Sequence, residues 1–105
     1  SPKAVRASMG GIFFVNILEM NRSRFFKFID ENPLNLIVAD MAGEDVFNFK
    51  RTDPFALVLG NEANGVGTDI KEIANDTISL PMSANMESLN VAVSAGILMY
   101  ILNSK

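Results

Sequence analysis

Two continuous apolar runs set the frame of this chain. Asn35-Leu36-Ile37-Val38-Ala39-Asp40 and Phe55-Ala56-Leu57-Val58-Leu59-Gly60 lack the alternation of a half-exposed strand and are bounded by turn residues. That pattern predicts strands buried on both faces of a parallel sheet, with helices above and below it. Thr77-Ile78-Ser79-Leu80-Pro81 reads as a third strand, stopped by its proline, and residues 12–17 form a further β-rich apolar run. Between these lie helical segments. Asn21 is placed to cap a helix over 21–29 that carries Phe25, Phe28 and Ile29 on one face and ends at Asn32-Pro33. Residues 68–74 predict a short helix with Thr68 as its N-cap. Residues 2–9 also predict a short helix, because Pro2 suits a first turn and Gly10-Gly11 can end one. The polar stretch 42–53 leaves room for a short edge strand at 46–49. The chain closes with a helix over 88–103 that is apolar nearly all round, the mark of a helix covered on more than one side.

Strands alternating with helices predict an α/β fold, an open and mostly parallel sheet with helices on both faces. At 105 residues and 49% hydrophobic composition the chain has the material for one core, so a single domain over 1–105 is expected. No repeat or low-complexity linker interrupts it.

The residue inventory narrows the chemistry. With no cysteine and no histidine, disulfides, thiol nucleophiles, Cys/His zinc sites and histidine-based catalysis are ruled out within this chain, and no metal is expected. Carboxylates, amides, hydroxyls, Lys and Arg remain. The most apolar stretch, 89–102, falls short of the about 20 residues a spanning helix needs, and nothing at the N-terminus resembles a secretory signal. A cytoplasmic location without membrane contact is the expectation. The net charge is −3, yet residues 1–28 hold Lys3, Arg6, Arg22, Arg24 and Lys27 against Glu19 alone, whereas residues 29–105 hold eleven acids against four bases. If this chain meets RNA phosphates, its N-terminal quarter carries the suitable charge; a solvated charge distribution without a partner fits the same numbers.

Two loops are candidates for chemistry. Leu59-Gly60-Asn61-Glu62-Ala63-Asn64-Gly65-Val66-Gly67 follows a buried strand, where open α/β sheets place ligands. Gly60 and Gly65 have the spacing of a phosphate loop, but Val66-Gly67 stand where Lys and Ser/Thr are required, and no Gly-x-Gly-x-x-Gly occurs. The loop instead offers three glycines where backbone can approach a flat ligand, plus the carboxylate of Glu62. An ordinary turn with a solvated Glu fits equally. The second loop, Leu80-Pro81-Met82-Ser83-Ala84-Asn85-Met86-Glu87-Ser88-Leu89-Asn90, runs from a strand end to a helix start, where Ser88 and Asn90 have ready roles in capping.

In order and spacing, the segments 55–67, 78–82 and 87–96 resemble the second and third motifs of SpoU/TrmH-type RNA 2'-O-ribose methyltransferases of the SPOUT superfamily. Arg6-Ala7-Ser8-Met9-Gly10-Gly11-Ile12-Phe13 is similar to the segment that precedes them. The resemblance spans essentially the whole chain. It implies a SPOUT fold with a C-terminal trefoil knot, an exception to the rule that chains do not thread their loops. It implies S-adenosylmethionine as cofactor, in a pocket lined by Leu59, Gly60, Leu80, Met82 and Leu89 with Glu62 beside it. Glu62, Ser88 and Asn90 would belong to the catalytic pocket. The implied substrate is a ribose 2'-hydroxyl of rRNA or tRNA, and the implied assembly a homodimer through the helix over 89–102. The family's first motif, with its Asn and catalytic Arg, has no match here, and Arg6 does not replace that Arg. The chain is therefore expected to be the C-terminal part of such an enzyme. The alternative is a non-catalytic dimeric SPOUT-fold binding module; the intact Asn61-Glu62 and Ser88-Leu89-Asn90 favour the enzyme. A flavodoxin-like nucleotide binder would need the phosphate loop that is missing.

Overall fold

The computed structural model of the protein describes residues 3–9, 13–60, 65–81 and 91–104. The chain divides into two compact units, 1–33 and 34–105.

In the first unit, β1 (Lys3–Met9) pairs antiparallel with β2 (Phe13–Glu19), from Lys3 opposite Glu19 to Met9 opposite Phe13. The helix expected over 2–9 is thus a strand. A helix this short would leave most of its N–H and C=O groups without intrahelical partners. Pairing along all of Phe13–Glu19 instead engages the whole segment, and this outweighs the Pro2 and Gly10-Gly11 signals. Helix α1 (Arg22–Glu31) follows as predicted. The Asn21 side chain caps it by accepting from the Arg24 N–H at 2.9 Å, and the Asn32 amide donates to the Phe28 carbonyl at 2.9 Å to close it before Pro33. Phe25, Phe28 and Ile29 are half-buried, as their shared face requires, while Arg24 and Lys27 are exposed.

The second unit holds a three-stranded parallel sheet of β3 (Asn35–Asp45), β4 (Phe55–Val58) and β5 (Asp76–Ser79), in the order β4-β3-β5. The apolar runs of 35–40 and 55–60 occupy its centre and one neighbour, with Leu36, Ile37 and Val38 all buried, so both faces of β3 are covered. Asn35 and Asn75 fix the start of the sheet. The Asn35 amide donates to the Thr52 carbonyl at 2.7 Å, and the Asn75 carboxamide accepts from the Leu36 N–H at 2.8 Å.

The expected edge strand at 46–49 is a 3-10 turn, Val46–Asn48. Its first free donor, the Phe47 N–H, bonds the Asp45 side chain at 2.8 Å. The three-residue period puts Val46 and Phe49 on one side, and both are buried in the core, which an alternating strand would not achieve for that pair. Helix α2 (Thr68–Ile73) forms where expected, but Gly67 rather than Thr68 is the N-cap, without a side-chain capping bond. Helix α3 (Val91–Asn103) lays Leu98, Ile101 and Leu102 into a cluster with Ile37, Ile78, Val46 and Phe49. The helix start predicted at residue 88 lies outside the described residues, as does part of each loop on which the expected knot depends.

Arg51 ties the end of α3 to the approach to β4. Its guanidinium donates to the Leu102 carbonyl, pairs with Asp53 at 2.8 Å and stands 5.2 Å over the Phe55 ring. A cation at the negative end of a helix is favourably placed.

Candidate functional site

Parallel strands deliver their C-terminal ends to one edge of a sheet, and here that edge gathers three chain exits side by side. At one flank β4 ends at Val58 and passes into Leu59 and Gly60; at the other β5 ends at Ser79 and passes into Leu80 and Pro81. Leu59 and Leu80 are half-buried and both pack against the core cluster, so the two predicted loops leave the sheet from a common apolar base.

Gly60 meets a specific constraint. A Cβ built there would fall on the backbone of Gly65 and Val66, so the segment returns on itself within a side chain's breadth and only glycine fits its neck. Gly65 has φ of 65°, the left-handed region that glycine enters without cost. Val66 is then buried, and α2 begins two residues later. This Cβ-free neck, flanked by the apolar Leu59 and set along the same edge as Leu80, suits a flat, largely apolar group held by main-chain contacts. It fails for a phosphate cradle, which needs the Lys and Ser/Thr that Val66-Gly67 replace. Of the predicted site residues, Leu59, Gly60 and Leu80 are therefore placed at the two strand exits. Glu62, Met82, Ser88, Leu89 and Asn90 lie outside the described residues.

Between these exits the central strand does something that sequence reasoning missed. Ile78 of β5 is paired first with Ala39 and again with Glu44, so residues 40–43 leave the ladder and return to it. Within this excursion the Asp40 carboxylate accepts from the Ala42 N–H at 3.1 Å and forms an ion pair with the Lys71 ammonium of α2 at 2.9 Å. The Lys71 hydrogen bond, helped by the Ala42 N–H, holds the Asp40 carboxyl below its ordinary value of 3.8, against the opposing effect of burial. On the other side the Ser79 hydroxyl donates to the Gly43 carbonyl at 3.0 Å. Gly43 lies so close to β5 that a Cβ there would come within 2.7 Å of the Thr77 and Ile78 backbone. The sequence did hold one signal: Asp40 closes a buried apolar run, the position at which parallel strands meet ligands or the groups that arrange them.

Known proteins resemble this chain in sequence and in fold. The chain is 30% identical over 106 residues to a 23S rRNA (uridine(2479)-2'-O)-methyltransferase of Streptomyces viridochromogenes, covering 94% of this chain and 37% of that protein. It is 43% identical over 67 residues to a tRNA (guanosine(18)-2'-O)-methyltransferase of Aquifex aeolicus, covering 61% of this chain and 32% of that one. Among solved structures, the SpoU methyltransferase AviRb from Streptomyces viridochromogenes, in complex with AdoMet, superposes with a TM-score of 0.68 at 27% identity, over 78% of this chain and 35% of that one. The chain spans less than half the length of the curated relatives it matches. The model of the SpoU rRNA Methylase family matches residues 1–100. The chain therefore belongs to the SpoU rRNA Methylase family.

Proposed function

We propose that the chain is the C-terminal, cofactor-holding part of an S-adenosylmethionine-dependent RNA methyltransferase that acts on a ribose 2'-hydroxyl of rRNA or tRNA. The observation that carries the proposal is the family match over residues 1–100, together with a glycine neck at the strand exit where the family's second motif falls. The two relatives described above are named for 2'-O-methylation of rRNA and tRNA.

In this reading Leu59, Gly60 and Leu80 hold the cofactor with Met82 and Leu89, and Glu62, Ser88 and Asn90 complete the catalytic pocket. The bound cofactor supplies an electrophilic methyl group on a sulfonium. The chain's own tasks are to fix that methyl in line with the attacking oxygen and to keep the loops still while the hydroxyl proton leaves, and alignment is the larger share of such a reaction. The basic N-terminal quarter, with Arg24 and Lys27 exposed on α1, has the charge that suits RNA phosphates.

The same reading includes a homodimer through α3. Val93, Ile97 and Tyr100 recur at helical spacing and are exposed, a stripe of the kind that second copies cover.

The cofactor reading is tested by calorimetric titration with S-adenosylhomocysteine of wild type and a Gly60→Ala variant, with circular dichroism to verify folding. Saturable binding that the folded variant loses supports it. A folded wild-type chain that binds nothing overturns it for this chain.

A further inference from the structure

The excursion of β3 occupies a privileged place. β3 is the central strand, so residues 40–43 emerge between the exits of β4 and β5, the two segments assigned to the cofactor. The excursion is fastened to both sides. Asp40 grips Lys71 on α2, the helix that receives the chain after the Gly60 neck. Gly43 is gripped by the Ser79 hydroxyl, one residue before Leu80. A second, longer contact of that hydroxyl with the Glu44 carbonyl at 3.4 Å keeps the return of the excursion on β5. At Gly43 the backbone approaches β5 too closely to admit a Cβ.

We infer that Asp40, Lys71 and Ser79 are positioning residues, forming a clasp that fixes the separation of the two cofactor-holding loops; the inference rests on the cofactor reading above. None of the three needs to touch the cofactor. Each acts on a segment whose own backbone would do so, and a pocket made of main-chain groups depends on the spacing of its two halves more than on any one side chain.

The test is calorimetry with S-adenosylhomocysteine at a temperature well below unfolding, on the full chain and on Asp40→Asn, Lys71→Met, Lys71→Arg, Ser79→Ala and the reversed pair Asp40→Lys/Lys71→Asp, with thermal unfolding measured in parallel. A partly exposed ion pair of this kind supports an expected weakening of about threefold to fivefold in Kd for Asp40→Asn and Lys71→Met. Lys71→Arg and the reversed pair should recover most of it, and Ser79→Ala should weaken binding by a smaller factor. Hydrogen exchange of the unliganded single variants should quicken at Leu59, Gly60 and Leu80 while the amides of Ile37 and Val38 stay protected. A merely structural pair would lower the unfolding temperature and leave Kd unchanged, and that result overturns the inference while the cofactor reading stands. Absence of binding by the folded wild-type chain overturns both.

Discussion

Helix α3 presents two apolar faces that the sequence writes in the same alphabet and the structure treats in opposite ways. Leu98, Ile101 and Leu102 are inside the core, Leu102 with 1% of its surface left to solvent; Val93, Ile97 and Tyr100 lie on the other side, Tyr100 at 50% exposure. Composition alone cannot tell these faces apart. What distinguishes them is the sheet, which covers one and leaves the other available to a second copy. In the proposed homodimer the same residue types do two jobs, stability on one face and association on the other, and substitutions can separate them.

The largest effect is expected on the covered face. Leu98→Ala removes a side chain buried in the core cluster that includes Ile37 and Ile78, and should cost about 2–4 kcal/mol of stability in denaturant unfolding. On the open face, Ile97→Glu should convert the proposed dimer into a monomer by analytical ultracentrifugation, while the monomer's own stability changes by no more than about 0.5 kcal/mol. A wild-type chain that sediments as a monomer would remove the second job from that face altogether. An intermediate effect belongs to the helix end: Arg51→Met deletes the donor to the Leu102 carbonyl and the ion pair with Asp53, and should lower stability by about 1 kcal/mol without altering association. The smallest is a control away from α3. Because the folded state holds the Asp40 carboxyl below its ordinary value, the Asp40–Lys71 pair stabilises fully above about pH 4 and loses its contribution as acid protonates that carboxyl in the fold. With Lys71 partly exposed, the contribution should stay below about 1 kcal/mol. Asp40→Asn should flatten that part of the acid limb in urea titrations across the range.

The central strands were legible because burial on both faces leaves a visible trace: three consecutive apolar residues at Leu36-Ile37-Val38 have no other economical explanation. Helix α1 was legible through Asn21 and the spacing of Phe25, Phe28 and Ile29, all local features. The misreadings share a cause in long-range partners. β1 became a strand because Phe13–Glu19 was there to pair with it, and 46–49 became a turn because Val46 and Phe49 had one core to reach. Thr68 lost the cap to Gly67 by a single position. At the candidate site, the sequence located both loops through their place after buried strands, and the family motifs named Leu59, Gly60 and Leu80. It did not show that Gly60 faces Gly65, nor that Asp40 meets Lys71 and Ser79 meets Gly43, since those pairs are separated by chain that folds in between.

The approach of Gly43 to β5 also leaves a mark that can be read across a lineage. Any side chain at that position would force the Thr77 and Ile78 backbone aside, so the four-residue detour and its glycine cannot drift independently. Relatives that have replaced the glycine should have shortened or lost the detour, and with it any reason to keep a hydroxyl at the position of Ser79. Covariation between those two alignment columns, 36 residues apart in this chain, would be the evolutionary record of a hydroxyl held on a backbone carbonyl.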